Sequence, residues 1–213
     1  MNTEEQTSTY QSPLREGQKE ATRQRIIEAV HRVIADRGLS ELSFAAVAKE
    51  AGVQERTVYR HFPNKDALWD AFWAWINPRL GVPAAPVSEA ELIASLPRVY
   101  TGFDEYEQIM RAGMTSALGS QLQKRTNTER QAVFRHVTAN ATEGLPKREA
   151  AWITATVQLL YSSRAWISMK DYWGYSGEEA GRACAYAIEL LLEAARKRAS
   201  ETKFKPKSKK AKG

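Results

Sequence analysis

Residues 45–69, AAVAKEAGVQERTVYRHFPNKDALW, restrict the fold more than any other stretch of this chain. A short alanine-rich segment carries Val47, Ala48 and Ala51 at helical spacing, and Gly52 interrupts it. A second short segment then crowds Gln54, Glu55, Arg56, Thr57, Tyr59, Arg60 and His61 around a lone Val58. Apolar residues three and four apart define one buried stripe per helix. Gly52 stands where a tight turn needs a positive φ. Two helices joined by such a turn make a helix-turn-helix. Burying Val47, Val53 and Val58 turns Gln54, Glu55, Arg56, Thr57, Tyr59 and Arg60 outward, more hydrogen-bonding groups than packing requires.

The same periodicity extends along the chain. Ile26, Ile27, Val30, Val33 and Ile34 mark one face of a helix starting near Leu14, with Gly38 as a left-handed cap. Ser43 is a good N-cap for the second helix, and Asn64 for a fourth that presents Leu68, Phe72 and Trp75 and stops before Pro78. Pro78–Val87, with three prolines and a glycine, reads as a boundary. Beyond it, Ser88 with Glu91, Thr128 with Gln131 and Ser176 with Glu179 have capping-box spacing, and Pro146 suits a first helical turn. Two later segments are long, one with Trp152, Thr156, Leu159, Leu160, Ser163 and Ile167 on one face. The other carries Ala180, Cys184, Ala187, Ile188, Leu191 and Ala195. No segment alternates as a strand would, so the expected fold is all-α.

The polar face of the third helix suits double-stranded DNA. A recognition helix reaches base edges with its N-terminal residues. Arg56 has the donors to pair with guanine, and Thr57 can meet a base or a thymine methyl. Tyr59, His61 and Lys65 suit phosphates, as do the first amides of the helix that Asn64 opens.

Residues 22–72, from Thr22 and Ile26 through Gly38, Ser43, Val47-Ala48, Ala51-Gly52-Val53 and Thr57 to Tyr59, His61, Phe62, Lys65 and Leu68, resemble the DNA-binding domain of the tetracycline-repressor (TetR) family. The resemblance implies a three-helix DNA-binding head, a larger helical ligand-sensing body and a homodimer whose last two long helices form a four-helix bundle. It implies that Glu55, Arg56, Thr57, Tyr59, Arg60 and His61, with Gln54 beside them, face DNA. Lys65 and Ser43 would lie near phosphates. Glu55 repels phosphates unless it accepts from cytosine or orients Arg56. The implied organisation is an N-terminal extension over 1–13, read as disordered, and a helix-turn-helix domain over 14–77. An effector-binding and dimerisation domain over 78–200 and a disordered lysine-rich tail over 201–213 follow.

Composition limits the alternatives. Of the net charge of +6, +5 lies in residues 201–213 and residues 66–200 are neutral, so the basic balance is a weak pointer to nucleic acid. One cysteine, Cys184, excludes an internal disulfide, and His31, His61 and His136 lack zinc-ligand spacing. No metal or cofactor is expected. No secretory signal or span of about 18 apolar residues is evident, so a cytoplasmic protein without a membrane partner is expected. In the body, Tyr106, Met110, Met114, Trp152, Tyr161 and Trp166 would line a pocket for a flat or greasy effector of unknown identity. The function expected is a sequence-specific regulator, an effector-released repressor on a near-palindromic operator. The rivals are an architectural DNA-binding protein without an effector and an all-α enzyme, for which the sequence offers no acid/base pair or metal cluster.

Overall fold

In the computed structural model the chain is described over residues 13–82, 86, 88–115 and 117–204. The described residues form ten α-helices and no strand, and the fold is all-α. The chain divides into two compact units, Met1–Trp75 and Ile76–Gly213.

In the first unit, α1 (Pro13–Arg37) buries Ile26, Ile27, Val30, Val33 and Ile34, the stripe that its sequence spacing defines. A 3-10 turn, Leu39–Glu41, separates it from α2 (Phe44–Ala51), and α3 (Glu55–His61) and α4 (Lys65–Ile76) follow. Gly38 has positive φ as expected, yet its ψ of 167° is extended, so it is not a left-handed cap. It leads instead into the 3-10 turn, which redirects the chain before Ser43. Leu68, Trp69, Phe72 and Ile76 are buried on α4, while Trp75 is only half-buried.

The second unit contains α5 (Glu89–Glu105), α6 (Glu107–Thr115), α7 (Ala117–Thr142), α8 (Lys147–Leu160), α9 (Ser163–Trp173) and α10 (Gly177–Phe204). Ser88 and Ser176 accept hydrogen bonds from the amides of Glu91 and Glu179, as their spacing predicts. Thr128 does not start a helix. It lies inside α7, because capping-box residues act only where the preceding chain has left the helix. Pro146 is the N-cap of α8 rather than a residue of its first turn.

The first of the two long segments is also broken. Ser162 adopts an extended conformation and its hydroxyl accepts from the amide of Ala165, opening α9 two residues after α8 ends. The buried Tyr100 hydroxyl lies 2.7 Å from the Leu160 carbonyl, at the end of α8, and 3.0 Å from that of Ser162, which also accepts the Trp166 amide of α9 at 3.2 Å, so it bridges the break. α10 packs along α5, with Ala180, Cys184, Ile188 and Ala195 buried. The approach is close: a Cβ on Gly181 would lie 2.5 Å from the Cα of Pro97.

Candidate nucleic-acid interface

The interface starts from two caps. The Ser43 hydroxyl accepts from the Ala46 amide at 3.1 Å and fixes the start of α2. Gly52 takes φ 64° and ψ 38°, the left-handed conformation the turn requires, and its amide returns to the carbonyls of Ala48 and Lys49. The Val53 amide also reaches the Ala48 carbonyl, at 3.0 Å. These bonds satisfy the end of α2 and direct the chain into α3.

Phe44, Val47, Ala48, Ala51, Val58 and Phe62 are buried between these helices and α1. With Val58 inward, Gln54, Glu55, Arg56, Tyr59 and Arg60 are exposed and Thr57 is half-buried. The Thr57 amide donates to the Gln54 carbonyl at 2.8 Å, so the start of the helix is held where a reading residue must be rigid. Gln54 itself is the N-cap of α3.

Lys65 is exposed at the start of α4, where the Asn64 side chain accepts from the Ala67 amide at 2.8 Å. Ser43 is half-buried with its oxygen engaged as the cap, which leaves its hydroxyl proton available to an outside acceptor. His61 is half-buried, and its Nε2 is enclosed without a hydrogen-bond partner. Burial, followed by the charges of Arg60, Lys19 and Arg23, lowers its pKa against the opposing pull of Glu20. The imidazole is therefore neutral at pH 7.

That cluster of charges contains two residues missing from the sequence reading. Lys19 and Arg23 of α1 stand near the end of α3, and Arg23 lies over the Phe62 ring at 5.3 Å. Arg15, Lys19 and Arg23 recur every four residues, so they share one face of α1, and this spacing was the available signal. The carboxylate of Glu50 is drawn elsewhere, to Arg32 at 2.8 Å and Arg37 at 3.9 Å.

The residues expected to line an effector pocket have varied environments. Met110, Tyr161 and Trp166 are buried, Tyr106 and Met114 are half-buried, and Trp152 is 58% exposed. Trp152 carries Arg148 over its ring at 5.3 Å on the outer face of α8, so it lines no interior. Trp166 donates from Nε1 to Asp104 at 2.9 Å, and the Tyr161 hydroxyl shares a 2.8 Å hydrogen bond with Ser95. Among the described residues no group of three His, Cys, Asp or Glu side chains is placed to hold a metal.

Residues 26–72 match the family profile of bacterial regulatory proteins, tetR family. Over 62 residues the chain is 36% identical to the nucleoid occlusion factor SlmA of Haemophilus influenzae, covering 29% of this chain and 28% of that protein. Over 60 residues it is 33% identical to the HTH-type transcriptional regulator AcrR of Shigella flexneri, covering 28% of each. The chain thus spans little more than a quarter of the curated relatives it matches.

Similarity of fold extends further. A tetR-family transcriptional regulator from Streptomyces coelicolor superimposes with a TM-score of 0.60 at 18% identity, over 89% of this chain and 91% of that one. NalD, the secondary repressor of the MexAB-OprM multidrug efflux pump in Pseudomonas aeruginosa, does so with a TM-score of 0.58 at 16% identity, over 82% and 96%. The capped helix-turn-helix and the exposed polar face of α3 thus lie within residues 26–72, the segment that resembles bacterial regulatory proteins of the tetR family, while the second unit shares with the solved structures its fold alone.

Proposed function

We propose that this chain is a sequence-specific transcriptional regulator, not an enzyme, that binds a near-palindromic operator as a homodimer in the cytoplasm and is released by an effector. The carrying observation is the exposed row Gln54, Glu55, Arg56, Tyr59 and Arg60 on a helix held by the Gly52 turn and by Val58. Arg56 would read a base edge, with Thr57 beside it. Ser43, Tyr59, His61 and Lys65 would meet phosphates and fix the register.

One short helix reads only a few base pairs, so selectivity needs a second copy about 35 Å away, one turn of DNA along. The surface of the second unit supports that requirement. Trp152 on α8 is 58% exposed, and Tyr186 and Leu190 on α10 are 63% and 48% exposed. Such apolar stripes suit a four-helix bundle between two copies. An effector held in the second unit would favour a spacing of the heads that no longer fits successive grooves. About 5.5 kcal/mol of differential affinity would reverse a 1:99 balance.

The matched relatives include both a transcriptional regulator and a nucleoid occlusion factor. The head alone therefore supports DNA binding in either setting. Selecting bound fragments from a random DNA pool, with sedimentation of the complex, tests the regulator reading. An enriched dyad-symmetric site bound by two chains is the expected result. Uniform recovery of all sequences, or binding by a single chain, would overturn it.

A further inference from the structure

On the second unit, α7, α8 and the first turn of α9 surround a shallow depression of about 250 Å³. That is somewhat below the usual range of small-molecule pockets, roughly 300–1,000 Å³. Asn127 and Arg130 of α7, Gln158 of α8 and Ser163 and Arg164 at the start of α9 form polar parts of its wall, and Leu159 supplies apolar surface. Among the described residues no carboxylate lines it.

Arg130 is the unusual member. Its Nη2 donates to the Tyr161 carbonyl at 3.4 Å, a long contact that uses one of five donors. No Asp or Glu among the described residues pairs with it. Although the residue as a whole remains open to solvent, its guanidinium is crowded by protein, and this loss of hydration lowers its pKa. A cation partly stripped of its hydration and without a carboxylate partner is compensated when an anion enters. Capping one carbonyl does not account for it.

The neighbours favour the same occupant. Asn127 accepts from Gln158 Nε2 at 3.1 Å, which leaves the amide NH₂ of Asn127 as a donor. The positive end of the α9 dipole adds to the field at Ser163. We propose that this depression binds a small organic carboxylate, its carboxylate on Arg130 and its apolar part against Leu159. The planar fork of arginine matches a carboxylate through two parallel hydrogen bonds.

Occupancy is measured without DNA, so it is independent of the operator reading. Calorimetric titration of the full chain with benzoate and with its neutral isostere benzamide is the test. Saturable benzoate binding is expected, with benzamide at least about tenfold weaker. Arg130→Gln, shown folded by circular dichroism, should weaken benzoate by about tenfold or more, and Arg130→Lys less than that. Absence of benzoate binding to the unmodified chain, equal affinity for benzamide, or full benzoate affinity in folded Arg130→Gln would each overturn the proposal.

Discussion

The ring of Tyr59 lies 4.4 Å, centroid to centroid, from that of Phe44 and is tilted 55° to it. Phe44 is buried at the start of α2 while Tyr59 is 53% exposed on α3, so one aromatic pair joins the core to the exposed polar face of α3. Tyr59→Phe should keep the packing and the melting temperature yet weaken binding to specific and random DNA alike. Tyr59→Ala should also destabilise the fold, by about 0.5–1.5 kcal/mol for the pair beyond the lost burial. Melting curves beside binding isotherms separate the two effects. Unchanged affinity in Tyr59→Phe would remove the hydroxyl from the interface.

Arg56 is exposed one residue into α3. Arg56→Ala should cost about 1–3 kcal/mol and relax preference at one base position of each half-site. The comparison needed is between the selected site, its single-base variants and random duplex. An equal loss on all of them would assign Arg56 to the backbone.

Lys65→Ala and Lys19→Ala should weaken binding to every sequence similarly. Each should lower the salt slope by about one if its ammonium neutralises a phosphate. Affinities measured across a salt series give the slope directly. Lys19 provides the sharper test, because it enters the interface only through the packing of α1 near α3.

His61 gives the first unit a pH response. Its folded pKa is lowered by burial, then by Arg60, Lys19 and Arg23. The folded state therefore binds its proton less readily than the unfolded chain. The contribution is fully present above the unfolded pKa near 6.5 and is lost as pH falls from there toward the depressed folded value. Melting temperature should drop between pH 7.5 and 5.5, and His61→Gln should flatten that drop. An identical pH profile in the variant would show that another group is responsible.

Asp104 ties three elements of the second unit together. It accepts from Lys170 and Trp166 at 2.9 Å each and from the Gly177 amide at 2.6 Å. Burial pushes its pKa upward, but the hydrogen bonds from Lys170, Gly177 and Trp166 outweigh this and hold it low. Asp104→Asn should destabilise the unit by about 1.5–3 kcal/mol, the range of one hydrogen bond to a charged group. In the native chain this stabilisation is present above the unfolded pKa, near 3.9, and is lost as pH falls toward the depressed folded value. Denaturant titration at pH 7 and pH 3 tests both the size and the sign.

The helix-turn-helix head is legible in the sequence because short-range signals decide it. Ser43 caps the helix it precedes, Gly52 takes the backbone conformation that its missing side chain permits, and Val58 fixes which face of α3 turns inward. The second unit depends on partners distant in sequence. Nothing adjacent to Ser162 tells that Tyr100, some sixty residues earlier, supports the break between α8 and α9. Thr128 carries a start signal that the continuing helix overrides. Helical spacing places Trp152 and Leu159 on one stripe, but does not tell whether the stripe faces its own core or the outside. The basic face of α1 was visible as Arg15, Lys19 and Arg23, although only tertiary packing brings Lys19 and Arg23 near His61.

Gly181 sits where α10 meets α5 with no space for a methyl beside Pro97. The two rods are consequently keyed like a pin in a notch. A slide of one helical repeat, about 5.4 Å, in the direction that carries Ala185 toward Pro97 would drive a side chain into a backbone. Travel along the axis is blocked in that sense, and rocking about the notch is the easier displacement.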